Sequence, residues 1–208
     1  MYTLLKPIPV RETLLKHGIH ILTPLVFGRI FGSNPAATKY FLETQSREGL
    51  FMRLKRGVYA LKTDPPNEEE IANVLYQPSY ISFEYALAHY NILPEMTYTV
   101  TSATTKPTRL FTCNKTAYSY RTIKESAYTG YSLVKKENRS FLLAEPEKAL
   151  VDYLYFVSLG KHRLNDRLLI HLKEQNYYKT GDLRKETIIT YTKLFDHEQL
   201  EKLVRQLV

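Results

Sequence analysis

The chain has 208 residues, 44% hydrophobic and 24% charged, a balance that supports a packed core in one large domain or two small ones. Its 29 Lys and Arg against 21 Asp and Glu leave a net charge of +8, which points to polyanionic partners without specifying one. One cysteine, Cys113, excludes an intrachain disulfide framework and a Cys-rich zinc module, and no stretch approaches the roughly 18 apolar residues of a membrane-spanning helix.

From Val10 to His17 the spacing predicts a first helix with Val10, Leu14 and Leu15 on one side, ended by Gly18 in a left-handed cap. Thr23 then caps a short helix opened by Pro24, whose buried side would be Leu25, Phe27, Ile30 and Phe31 before Gly32 interrupts it. Asn34 and Pro35 repeat the same start signal for a third helix running on through Ser46. Two helices joined by a short turn containing glycine follow the helix-turn-helix plan, in which the second helix enters the major groove. Ala36 and Ala37 leave room for a close approach there, and Gln45, four residues beyond Phe41, reads as partly exposed. After Gly49, the segments Leu50–Leu54 and Val58–Leu61 alternate around the turn Lys55-Arg56-Gly57, a hairpin with a basic tip.

These elements predict a winged helix-turn-helix over residues 1–62. That segment holds 10 Lys and Arg against 3 Asp and Glu, a net +7, whereas the remainder holds 19 against 18. Arg53, Lys55 and Arg56 on the hairpin suit contact with phosphate or the minor groove. Ser33, Asn34, Thr38 and Lys39 lie near the N-terminal end of the second helix, with Thr38 and Lys39 as the candidates for reading base edges. A charge-rich hairpin is commonly no more than a solvated turn, but here the helix pair, the basic turn and the localised charge agree.

Asp64-Pro65-Pro66-Asn67 and the acidic run Glu68–Glu70 mark either a domain boundary or a proline-rich turn within one domain. Residues 68–93 predict two helices, one carrying Ile71, Val74 and Leu75 and one running from Ser82 through Tyr90, ended by Pro94. From Thr97 to Leu143 the chain turns to Thr-, Tyr- and Val-rich alternation, broken at Lys106-Pro107, Asn114-Lys115, Thr129-Gly130 and Glu137-Asn138. About five short strands in an antiparallel or mixed sheet follow from that pattern. Pro146 opens a helix through Phe156, and Leu164–Glu174 and Glu198–Leu207 read as amphipathic helices. Residues 68–208 are therefore expected to form an α+β domain with the sheet in its middle.

Catalytic motifs are sparse in this second part. No HExxH, CxxC or paired-His spacing occurs, nor a GxxxxGK[ST] or GxGxxG loop, so we expect no catalytic residue, metal or cofactor. Cys113 reads as a small buried thiol. Lys135, Lys136, Glu145, Glu147, Lys148 and Asp152 are the raw material of a metal-dependent nuclease site. More simply, Glu147 and Lys148 are first-turn residues of the helix begun by Pro146, and Asp152 pairs locally.

The run from Ile21 to Leu61, above all Glu48–Leu61, resembles the N-terminal winged helix of the AbiEi family, antitoxins of type IV toxin–antitoxin (abortive-infection) systems. Tyr80–Leu87 with Asn91–Glu95, and then Ala144–Asp152, resemble the same family in the same order, so the likeness spans roughly residues 20–160. It implies a non-enzymatic antitoxin that represses its own operon through the N-terminal domain and takes part in phage defence. The implied functional partner of the C-terminal domain is an AbiEii-type nucleotidyltransferase toxin, with direct contact left open. The small footprint of one winged domain adds the expectation of an inverted-repeat operator filled by two copies. Lacking a basic start followed by an apolar run, the chain is expected to be cytoplasmic, neither secreted nor embedded in a membrane. The alternative is a winged-helix regulator that delivers a nuclease-like catalytic C-terminal domain to DNA.

Overall fold

Capping chemistry shapes the first fifty residues. In the computed structural model, which describes residues 5–95, 97–136, 139–174 and 183–207, the Thr23 hydroxyl accepts from Val26 N–H and the Asn34 side chain accepts from Ala37 N–H. Each residue precedes a proline in the first helical turn, where a missing N–H costs nothing. The elements run α1 (Pro7–Lys16), β1 (Ile21–Leu22), α2 (Pro24–Phe31), α3 (Pro35–Glu48), β2 (Phe51–Lys55) and β3 (Val58–Leu61). Gly32 and Gly49, at φ 61° and 95°, close α2 and α3 in the left-handed region that glycine enters without steric penalty. Helix α1 begins three residues before the expected start, because Pro7 opens it and Pro9 is tolerated within its first turn.

The strands form an antiparallel sheet in the order β1-β3-β2. As the central strand, β3 is buried along its whole length, where alternation had been expected. Phe27 stacks on Phe41 with ring centroids 5.5 Å apart and meets Phe51 edge-on at 6.5 Å, and Leu14, Leu22, Leu42 and Leu61 complete the core. Leu15 and Leu25, expected to face inward, are 41% and 64% exposed, since helices this short bury only the narrow strips around Val10 and Leu14 and around Phe27. Gly28 sits where α2 approaches the next turn: a Cβ there would lie 3.1 Å from the Ser33 carbonyl oxygen.

The chain divides into two compact units, Met1–Ile71 with Glu137–Arg139, and Ala72–Lys136 with Ser140–Val208. The first thus continues past the prolines, with Asp64 held by His20 at 2.6 Å and by Arg139.

The second unit is built on β4 (Ser79–Ile81), β5 (Thr99–Thr104), β6 (Arg109–Cys113), β7 (Thr116–Thr122), β8 (Tyr131–Lys136) and β9 (Arg139–Ala144, its first residue belonging to the first unit), in the order β6-β7-β5-β4-β9-β8. The sheet is mixed: β4 runs antiparallel to β5 and parallel to β9, and β5 runs parallel to β7. Asn114 and Lys115 make the tight β6–β7 turn with φ of 50° and 71°. The helices are α4 (Glu68–Leu75), which enters from the first unit, then α5 (Phe83–His89), α6 (Pro146–Ser158), α7 (Asp166–Glu174), α8 (Lys185–Lys193) and α9 (Glu198–Leu207). Helix α5 stops five residues before Pro94, and β4 and α8 were absent from the expected set. The protein is therefore α+β, and among the described residues no helix is long and apolar enough to cross a membrane.

Replacing Gly28 by Val should lower stability by about 1–3 kcal/mol through overpacking against the Ser33 carbonyl. A urea midpoint equal to that of the native chain would contradict this close approach.

Candidate nucleic-acid interface

Rotation about its own axis decides which side chains α3 offers to a ligand. Phe41, Leu42 and Gln45 are buried, and Thr38 lies three and four residues before the first two, on the same stripe. Thr38 is accordingly 1% exposed, and its hydroxyl shares a hydrogen bond with Ser33 Oγ. This corrects the assignment of Thr38 to base reading: its polar atom is spent inside the turn. Gln45, read as partly exposed, is 6% exposed, and its amide donates to the Glu48 carboxylate, which satisfies a polar group within an apolar stripe. The Asn34 side-chain Oδ1 is likewise engaged, accepting from Ala37 N–H at 2.8 Å, and Ser33 is half-buried.

The opposite face carries Ala36, Ala37, Lys39, Tyr40 and Arg47, all exposed, with Tyr40 at 74%. Of the residues expected on this helix, Lys39 alone presents its head group outward from within α3. Tyr40 and Arg47 were passed over in the sequence. The inward spacing Thr38–Phe41–Leu42–Gln45, read as one stripe, would have placed both on the outer face.

Beyond α3, the hairpin pairs Arg53 with Tyr59 and Lys55 with Val58, the register slipping between Arg53 and Lys55. Gly57, at φ 76°, makes the tight turn between Arg56 and β3. Arg53 and Arg56 are exposed and Lys55 is half-buried; Arg53 Nε donates to the Lys55 carbonyl at 3.4 Å across the irregularity. A groove of about 390 Å³ between helix and hairpin is lined by Glu43, Ser46, Arg47, Arg53 and Tyr59. The exposed outer face of α3 and the basic hairpin thus flank one groove.

In the second unit the candidate acid–base residues do not gather: Glu147, Lys148 and Asp152 are buried, Glu145 is half-buried, and Lys135 and Lys136 are exposed on β8. Asp152 and Lys148 are fully buried and ion-paired one helical turn apart on α6. The other oxygen of Asp152 accepts from Tyr80 OH at 3.0 Å and from Ser82 Oγ at 2.7 Å. Burial pushes the Asp152 carboxyl up and the Lys148 ammonium down, and each opposes the other's shift through their pairing. Burial and the adjacent carboxylate also push the Tyr80 phenol up, which keeps it a donor. Glu147, 3% exposed, accepts from the backbone N–H and Nε of Arg184, and Glu145 accepts from Tyr191 OH at 2.7 Å. Cys113 is buried, and burial raises its thiol pKa. Among the described residues, no three His, Cys, Asp or Glu side chains gather where they could hold a metal ion.

Comparison of the sequence with protein-family models finds no match, and comparison with curated proteins finds none.

Truncating one member of the buried pair strands the other's charge. Asp152→Ala should therefore cost roughly 3–5 kcal/mol, while the double change Lys148→Met/Asp152→Leu recovers most of that loss. Urea unfolding of the three chains measures both effects, and a single variant as stable as the native protein would contradict the closed network described above.

Proposed function

We propose that residues 1–62 form a winged helix-turn-helix that binds operator DNA. The observation that carries this reading is the element order α1-β1-α2-α3-β2-β3 with its three strands arranged β1-β3-β2, in a segment of net charge +7. In this reading α3 is the recognition helix: Ala36 and Ala37 let its N-terminal half approach the major groove, and Lys39 reaches the base edges. Arg53, Lys55 and Arg56 on the hairpin contact phosphates, which fix position and supply affinity without reading sequence. Two copies fill an inverted repeat.

We further propose that the chain is a cytoplasmic antitoxin and autorepressor of a type IV toxin–antitoxin operon, opposing a nucleotidyltransferase toxin through residues 68–208. Three stretches that resemble AbiEi antitoxins support this, and polar residues of two of them meet in space. Tyr80 and Ser82 from the second stretch converge on Asp152 from the third. Their burial supports a role in holding the fold and thus a non-enzymatic C-terminal unit.

The test is a mobility-shift titration against the DNA upstream of the protein's own gene, with scrambled DNA as competitor. Specific retardation is expected, and the variant Lys55→Ala/Arg56→Ala should bind all sequences more weakly, with a log–log salt slope shallower by about two units. Binding no tighter than to scrambled DNA would overturn the operator reading. An unchanged salt slope in the variant would remove the hairpin from the interface.

A further inference from the structure

The inward stripe of α3 leaves Ala36, Lys39, Tyr40, Glu43 and Arg47 at spacings of three, one, three and four residues, which is a single face of a helix. Tyr40 stands at its centre. Its ring is 74% exposed, and among the described residues it makes no ring contact or hydrogen bond. The core does not call for it, because Phe41 and Leu42 already fill the space against Phe27. One turn before it stands Ala36, flanked by Ala37, so nothing bulky keeps this part of the face from a flat surface.

On the assumption that α3 enters the major groove, as proposed above, we propose that Tyr40 is a specificity-determining residue that packs against the C5-methyl of a thymine, while Arg47 and Arg53 hold a backbone phosphate at the groove's edge. The thymine methyl is the apolar feature that base pairs present in the major groove, and an exposed ring on a groove-facing helix discriminates by covering it. Arg47 lies seven residues beyond Tyr40, about 10 Å along the helix axis. From the middle of a major groove roughly 12 Å wide either phosphate row is about 6 Å away, within that offset for a helix lying obliquely, so a helix with Tyr40 over the bases brings Arg47 to the phosphate row. Arg53, from the hairpin, lines the protein's own surface groove together with Arg47, which makes two guanidinium groups against the one carboxylate of Glu43. The Ser46 hydroxyl is already committed to the Leu42 carbonyl at 2.6 Å.

The experiment uses the full chain and its upstream DNA with thymines replaced singly by uracil, which removes the methyl and leaves the pairing edge intact. One thymine in each half-site should be sensitive, its replacement weakening native binding about fourfold, the effect of one buried methyl group. Tyr40→Ala should bind the thymine and uracil forms equally at that position, and Tyr40→Phe, which keeps the ring, should retain the discrimination. Arg47→Ala should weaken binding to every sequence and flatten the salt slope by about one unit, with the thymine-to-uracil ratio unchanged. Circular dichroism of each variant should match the native spectrum, because both side chains lie outside the core. Either no thymine being sensitive, or Tyr40→Ala keeping the native ratio at every position, overturns the role of Tyr40. An unchanged salt slope in Arg47→Ala overturns the phosphate contact. Loss of all sequence-specific retardation by the native chain is a separate outcome that overturns the DNA reading together with this inference.

Discussion

The packing of Phe41 and Leu42 against Phe27 and Phe51 sets the rotation of α3, and the character of the outer face follows from it. Each of these side chains contributes about 1.5–3 kcal/mol by leaving water. Turning the helix by one residue, about 100°, would expose Phe41 and drive Lys39 inward, or in the other sense expose Leu42 and drive Tyr40 inward, at a cost that no single surface contact offsets. The turn before α3 reinforces the setting: Gly28 admits the Ser33 carbonyl, and Ser33 bonds to Thr38 on the inward stripe. A core requirement thereby chooses the residues available to a ligand, and it chooses Lys39 over Thr38.

A different device sets α6 in the second unit. Every residue from Glu147 to Phe156 is buried, so an amphipathic stripe alone leaves the rotation of this helix weakly determined. The Lys148–Asp152 pair removes that ambiguity, because only one rotation lets Tyr80 and Ser82 satisfy the carboxylate. Such a pair adds little net stability after both charges are desolvated, yet any arrangement that separates it is heavily penalised. Glu147 also ties the start of α6 to the beginning of α8, as a buried carboxylate accepting from Arg184, whose own side chain is exposed.

Much of this was legible in the sequence where the deciding forces are local. Thr23-Pro24 and Asn34-Pro35 are start signals whose chemistry sits within four residues, and α2 and α3 begin where those signals stand. The strands between Thr97 and Leu143 were readable from alternation broken at turns, and the C-terminal helix from its two-sided pattern. What escaped depends on distant partners. β1 has two residues and β4 three, too few for periodicity, and each is a strand because of what pairs beside it. Thr38 looked like a surface residue by type, and its burial follows from Ser33 and the Phe27–Phe41 contact. Asp152 lies 72 and 70 residues from Tyr80 and Ser82 in the chain, so their common site was invisible before folding.

If the first unit binds DNA as proposed, the contacts fall on the outer face of α3 and on the hairpin. Backbone amide chemical shifts of the isotopically labelled full chain, followed by NMR as DNA from upstream of its own gene is added, test this directly. The predicted result is a set of shifted amides concentrated between Ser33 and Arg47 and between Arg53 and Gly57. Shifts concentrated on α1, or on the strands of the second unit, with these segments unmoved, would contradict it.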